Sequence, residues 1–459
     1  MNLKSKIGIG IFIAFTLLVS AIPELDYLGK LSLIIFVLAL GLFIFTKLPS
    51  GLAAWLVLVL GVLLGLPENT MFNAFTHDVV WLMIGAFIIA GVLSESGLID
   101  RLSQWVINNC TTKGRVTFFT FIVIMILSVI VPSTSARASV MLPLYEILTD
   151  RFNQHKKFFS LAIPVLIIMA ANTTLLGAGS HLVGISILQA QTGESITYIE
   201  FLVYALPFGL IISYITYVII KWLYFKDFNY TIKTKDVEKM PFKTKEKLTF
   251  CLVVVTIILW LSEPLHGFDI AYVTILMSLI MMLPQLNLIT WKKGLSSVSW
   301  SLIFFVAGAT TLGSLLVEYG VTTYFQEVLL AGFNQFDSIN VFIALLFVVL
   351  ISVISHLLIP SHTTRAAVLI PVLLIIAETF NINPVAMVFI SLIGINFCVT
   401  LPVSSKALLI FYEGANDNLT SKDLFKLSMI LMPIYVGLMI MTYYIYWQHL
   451  GLKFFNYYV

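Results

Sequence analysis

"PSTSARASVMLP" at Pro132–Pro143 and "PSHTTRAAVLIP" at Pro360–Pro371 are one phrase written twice, 228 positions apart. Each places hydroxyl side chains behind a proline, then an arginine, then a second proline. Each interrupts an apolar stretch, 118–148 in one case and 340–377 in the other. The arm from Phe118 to Val131 has 14 residues, about 21 Å of helix, which is too short to cross about 30 Å of hydrocarbon. Two short arms meeting at a Pro-Ser break predict a re-entrant hairpin whose tip stops near mid-membrane. Such backbone is tolerated there only inside protein or beside a water-filled cavity.

The rest of the chain agrees with a membrane setting. Its 459 residues are 59% hydrophobic and 11% charged, with mean hydropathy +1.01. A soluble chain carries about 25% charged residues. The net charge of +3 says little by itself. Cys110, Cys251 and Cys398 are far apart and read as free thiols, without a disulfide framework. Apolar spans are predicted at 7–23, 29–47, 50–66, 79–97, 159–190, 201–225, 248–264, 269–290, 300–319, 383–411 and 424–448. The first resembles a signal peptide but reads as a retained helix, because the topology needs it.

Alternating these spans from a cytoplasmic N-terminus puts 21 of the 26 basic residues on the inside. Lys30 and Lys453 fall outside; Arg137, Arg365 and Lys406 fall within the membrane. That bias follows the positive-inside rule, and it predicts a cytoplasmic Lys235 and an external Val459. The layout is an N-terminal helix in 1–28, a first repeat in 29–225, a cytoplasmic linker in 226–247 and a second repeat in 248–459.

The duplication extends beyond the opening phrase. Gly85, Leu93, Glu95 and Gly97 recur as Gly308, Leu316, Glu318 and Gly320, an offset of 223. Asn172 and Ser180 recur as Asn396 and Ser404, an offset of 224. Five spans and a hairpin per half force the halves to insert in opposite orientations. This is the inverted repeat of a secondary transporter, with its site at the repeat interface. The expected fold is an all-α polytopic membrane protein of about eleven spans and two hairpins.

Ser133, Thr134 and Ser135 occupy the first tip, and Ser361, His362, Thr363 and Thr364 the second. "TLLGAGSHLVG" (Thr174–Gly184) breaks the fifth span and "TLPVSSKALL" (Thr400–Leu409) the tenth. Helices restarting after such breaks aim positive dipole ends at one place, which suits an anion. The carbonyls freed by the breaks could hold a cation such as Na+. The predicted ion or coupling site is Gly177, Ala178, Ser180, His181, Val403, Ser404 and Lys406. The predicted substrate site is the tip residues Ser133, Thr134, Ser135, Ser361, His362 and Thr363, with Arg137 and Arg365. For the arginines two readings stand: contact with the anion, or ties to carbonyls at their own tips. His181, His356 and His362 lie near the breaks and could take a proton; for His356 a neutral ring bonded to a carbonyl is preferred. Glu95 and Glu318 sit near span ends and read as interfacial.

These motifs resemble the divalent anion:sodium symporter family, the sodium-dicarboxylate and sodium-sulphate carriers. That family has a Ser-Asn-Thr triplet at each hairpin tip, followed by an apolar stretch ending in Leu-Pro. Ser133-Thr134-Ser135 with Leu142-Pro143, and Ser361-His362-Thr363 with Ile370-Pro371, hold those places. Thr174 to Leu182 is similar to the family's "TLIGTPPNL", and Leu401-Pro402-Val403 to its "LPV" break. The resemblance covers essentially the whole chain. It implies eleven spans, two hairpins, a homodimer and elevator-like alternating access. Citrate- and tartrate-type relatives carry Ser-Asn-Thr-Ala-Arg, which favours carboxylates. Thr134 and His362 replace the triplet asparagines, Ala178 and His181 replace a threonine and an asparagine, and Lys406 enters the second break. These departures point to weaker sodium dependence, with anion exchange or proton coupling as the substitute.

The expected function is secondary transport of a small anion, a di- or tricarboxylate, in the plasma membrane. The coupling ion would be Na+ or H+, with no other cofactor. Sulphate or phosphate is the alternative on the same fold. A cation/proton antiporter would need acidic side chains in the breaks, and neither break contains one. No nucleophile–base set, phosphate loop or metal-ligand cluster suggests an enzyme, and nothing suggests a nucleic-acid partner.

Overall fold

The computed structural model describes residues 12, 14–99, 101, 105, 113–131, 133–152, 155–225, 241–333, 340–414 and 419–455. Pro132, Cys110, Lys235, Val459 and most of the expected linker lie outside the described residues. Within the expected linker, helix begins at Thr244, where Glu246 accepts from the Lys243 backbone N–H at 3.1 Å.

Among the described residues the regular structure is helical, apart from one isolated bridge between Ile382 and Phe455. In order, the helices are α1 (Tyr27–Phe45), α2 (Ser50–Leu63), α3 (Asp78–Ser96), α4 (Lys113–Ile130), α5 (Thr134–Arg151), α6 (Lys156–Ala170), α7 (Gly179–Thr192) and α8 (Tyr198–Tyr224). Then follow α9 (Thr244–Leu261), α10 (Ile270–Met281), α11 (Trp300–Glu318), α12 (Val321–Phe333), α13 (Val341–Ile354), α14 (His362–Thr379), α15 (Pro384–Ile395), α16 (Lys406–Gly414) and α17 (Ser421–Ile445). Among the described residues seven helical stretches are long and apolar enough to cross a membrane, and five shorter ones are apolar. The protein is a multi-pass membrane protein. Helix α12 has no counterpart among the expected spans: its 13 residues are too few to cross.

The two opening phrases do end one helix and start another: α4 gives way to α5, and α13 to α14. The arms of each pair touch each other little. Both α4 and α5 pack instead on α6, and both α13 and α14 on α15. Residues 158–170 of α6 and 386–395 of α15 are therefore buried on every side, as a helix apolar all round should be.

Packing repeats at the sequence offset. Helix α3 packs on α10, and their equivalents α11 and α2 pack on each other; α7 packs on α14 as α16 packs on α5. Glycine permits the first crossings. A Cβ at Gly85 would sit 2.9 Å from Thr274 Cγ2 and 3.0 Å from its carbonyl carbon; one at Gly308 would sit 2.8 Å from Ala54 Cβ. Small residues let helices approach closely in lipid, where no hydrophobic force draws them together.

Three ion pairs join helix ends that the alternation places on one side: Arg101–Glu246 at 2.7 Å, Lys157–Asp423 at 2.7 Å and Lys293–Glu95 at 2.8 Å. On the opposite side Asn383 N–H donates to the Phe454 carbonyl at 2.9 Å. Glu95 is thus tied to Lys293 and Glu318 is exposed, as interfacial groups should be.

Gly85→Ala and Gly308→Ala should each lower stability by about 1–3 kcal/mol through overpacking. Gly41→Ala, with nothing within 4 Å, should not. Thermal unfolding midpoints in detergent check this.

Candidate functional site

Each predicted break has the same backbone form. Thr174 is extended, Leu175–Gly177 make one 3-10 turn, Ala178 is extended, and α7 restarts. Leu401 is extended, Pro402–Ser404 make one 3-10 turn, Ser405 is extended, and α16 restarts. Such breaks free carbonyls that apolar surroundings cannot satisfy. Arg137 and Arg365 satisfy some of them. Arg137 donates through Nη2 to the Gly177 carbonyl and through Nε to the Ser133 carbonyl at 3.4 Å. Arg365 donates through Nη1 to the Phe397 carbonyl at 3.1 Å. Both side chains are 0% exposed.

The tips also match. Ser133 Oγ lies 2.9 Å from Ser135 Oγ, and Ser361 Oγ lies 2.9 Å from Thr363 Oγ1. They differ in backbone. Ser361 caps α14 by accepting from Thr364 N–H at 3.3 Å. Ser133 has φ 83°, a conformation that L side chains rarely adopt, and it makes no cap.

Between the tips lies a cavity of about 810 Å³. Six helix N-termini meet at it. Ser133, Thr134 and Ser135 come from α5, Ala178 and Gly179 from α7, Ser361, His362 and Thr363 from α14, and Val403 and Lys406 from α16. Pro49 and Ser50 begin α2, and Ser299 and Ser301 begin α11. Each start carries roughly half a positive charge on its free N–H groups. Nine of the lining residues are serine and, among the described lining residues, none is Asp or Glu. The one lining residue with a formal charge is Lys406, which is exposed. Helix starts and an ammonium around a cavity suit negative charge.

A polar network joins the halves behind this cavity. Asn396 Nδ2 donates to Asn172 Oδ1 at 3.1 Å, so the two asparagines related by the repeat bond each other. Asn396 Oδ1 accepts from Ser180 Oγ at 2.9 Å. His181 Nδ1–H donates to the Thr174 carbonyl at 3.0 Å, and its Nε2 accepts from Asn396 at 2.5 Å. Tyr435 donates to the Ile393 carbonyl at 2.7 Å and lies 3.2 Å from Asn172 Oδ1.

Residues 4–453 match the family described as sodium:sulfate symporter transmembrane region. The chain belongs to the sodium:sulfate symporter family. It is a secondary transporter, not an enzyme, and its substrates by family are small anionic solutes. The sodium-dependent dicarboxylate transporter SdcS of Staphylococcus saprophyticus is 23% identical, over 81% of this chain and 78% of its own. A citrate/succinate antiporter of Escherichia coli is 22% identical, over 80% and 78%. Among solved structures, the YdaH transporter of Alcanivorax borkumensis superposes with a TM-score of 0.61 at 13% identity, over 83% and 88%. MtrF of Neisseria gonorrhoeae superposes at 0.58 and 13%, over 94% and 97%. These last two show the fold.

The symporter-family site differs in part from its sequence reading. The tip residues, Ala178, Val403 and Lys406 line the cavity together. Arg137 and Arg365 do not; Arg137 ties the Ser133 carbonyl at its own tip and the Gly177 carbonyl at the break, whereas Arg365 ties the Phe397 carbonyl just after α15 instead of its own tip. Gly177, Ser180, His181 and Ser404 are buried behind the lining. Lys406 faces the cavity. Sequence reasoning missed Ser50, Ser94, Ser297, Ser299 and Ser301, which also line the cavity and form a serine wall. Alternating serines in "SSVSWS" (Ser296–Ser301) were the available signal.

Asn172→Ala and Asn396→Ala should each cost about 1–3 kcal/mol by orphaning buried partners. The double variant should cost less than the two together, because the second change removes an already broken pair. A thermal-unfolding double-mutant cycle reads the coupling.

Proposed function

We propose that this chain carries di- or tricarboxylate anions by alternating access, binding the substrate between its two hairpin tips. The observation that carries the reading is the convergence of six helix starts and Lys406 on a cavity without a described carboxylate. A volume of about 810 Å³ is far more than a tetrahedral oxyanion fills, and it accommodates a chain with two or three carboxylates. The dicarboxylate and citrate carriers named above point the same way. Tip hydroxyls and free N–H groups would take one carboxylate, and the Lys406 ammonium another.

The proposal includes an inverted repeat with two re-entrant hairpins, supported by helix pairs that pack equivalently at the sequence offset. It includes elevator-type movement of the tip-bearing elements against α2, α3 and α11. It includes a homodimer in the plasma membrane with a cytoplasmic N-terminus and external C-terminus; the ion pairs fit a layout that puts those helix ends on one face, and the positive-inside rule makes that face cytoplasmic. A cation/proton antiporter is disfavoured by the lack of a carboxylate among the described cavity residues.

Lys406→Ala should weaken succinate or citrate binding about 10- to 100-fold, the worth of one hydrogen bond to a charged group. Lys406→Arg should retain most of it. Equilibrium binding to purified protein measures both, and unchanged affinity in the alanine variant would remove Lys406 from the site. Ser133→Ala, Ser135→Ala, Ser361→Ala and Thr363→Ala should each weaken binding while the protein still inserts; uptake into proteoliposomes unchanged in all four would remove the tips.

A further inference from the structure

We propose that His362 takes up a proton together with the transported anion, making anion movement proton-coupled. This rests on the reading of the cavity as an anion site. Three histidines lie near the breaks, and the geometry separates them. His181 is fully buried with both ring nitrogens engaged, Nδ1 by the Thr174 carbonyl and Nε2 by Asn396. His356 is held the same way, Nδ1 by the Val353 carbonyl and Nε2 by Thr400 Oγ1 at 2.6 Å, with Thr400 in turn 2.5 Å from Ser428 Oγ. His181 cannot gain a proton without breaking a buried bond, and His356, whose Thr400 and Ser428 hydroxyls could reverse to accept one, is not among the described residues that line the cavity.

His362 is built otherwise. It lines the cavity at the first residue of α14. Among the described residues its side-chain hydrogen bond is a weak one to a thiol, Nδ1 to Cys398 Sγ at 3.9 Å. Nε2 has no hydrogen-bond partner among the described residues, so the ring is free to accept a proton from the cavity.

Its charged and titratable surroundings come from every neighbouring element. Arg365 lies on its own helix, Arg137 on α5, His181 on α7, Lys406 on α16 and Cys398 after α15. None is a carboxylate. A proton on the ring adds a like charge to this group, and a bound dianion beside it cancels the repulsion. Binding and protonation therefore favour each other: the proton arrives from the open side with the anion and leaves with it. The sign follows. An anion favours the protonated ring, so the contribution to affinity is full at low pH and is lost as pH rises.

Succinate titrated calorimetrically into the purified full chain, in two buffers of different ionisation enthalpy, counts protons bound. Measurement above about pH 6.5 keeps both succinate carboxyls ionised. The wild type should take up on the order of one proton per succinate, with affinity falling about tenfold per pH unit on the alkaline side. His362→Gln should bind with no uptake and a flat pH profile. His362→Lys, permanently charged, should do the same, and His356→Gln should keep the uptake. Persistent proton uptake in His362→Gln or His362→Lys would overturn the assignment while leaving the anion site standing. Succinate binding by the wild type without proton uptake would overturn it too. Failure of the wild type to bind succinate, citrate or sulphate would sink the anion reading itself. If neither His362 variant binds, isotope-labelled histidine decides: an imidazolium signal from His362 appearing with succinate supports the proposal, and its absence overturns it.

Discussion

Arg137 donating to Gly177 and Arg365 donating to Phe397 are the contacts on which the site depends. A helix broken inside an apolar body frees carbonyls that no water can reach. A buried guanidinium offers five donors on a rigid fork and so ties off such carbonyls from one side chain. The arginine pair costs several kcal/mol to place in an apolar body, and the return is that two helices can stop and restart there. Each arginine belongs to the helix that starts at its own tip, and each reaches the break in its own half. Tip and break are thereby held together, and the cavity lies where they meet.

That arrangement sorts the polar groups into two layers. Behind the cavity, Asn172, Asn396, Ser180, His181 and Tyr435 satisfy one another and join the two halves of the chain. Facing the cavity are groups with unused capacity: tip hydroxyls, helix-start N–H groups, the Lys406 ammonium and the His362 ring. The first layer is rigid because every donor has a partner. The second is receptive because its donors await one.

Much of this was legible in the sequence. A twice-written phrase with arginine in a very apolar chain marked both helix interruptions, and so the tips and the breaks followed from sequence pattern, although α14 proved long and apolar enough to cross. The tip residues and Lys406 do meet at one cavity. What stayed hidden depended on direction. An arginine in an apolar segment can reach a ligand or a carbonyl with the same residue pattern; only the placement of Gly177 and Phe397 separates the two. His181 and His362 read alike until their neighbours are known. The serine wall was missed because serines near helix starts usually satisfy their own backbone. Helix α12 was missed because "VTTYFQEVLLAGF" is neither long nor apolar enough to signal a span.

The central claim is that an anion sits between the two tips, at the convergence of the helix starts. A density map of the full chain with saturating succinate tests it most directly. The account predicts density for one ligand bridging Ser133–Ser135 and Ser361–Thr363, with a carboxylate in reach of Lys406. Ligand density elsewhere in the chain, with this cavity holding only solvent, would contradict it.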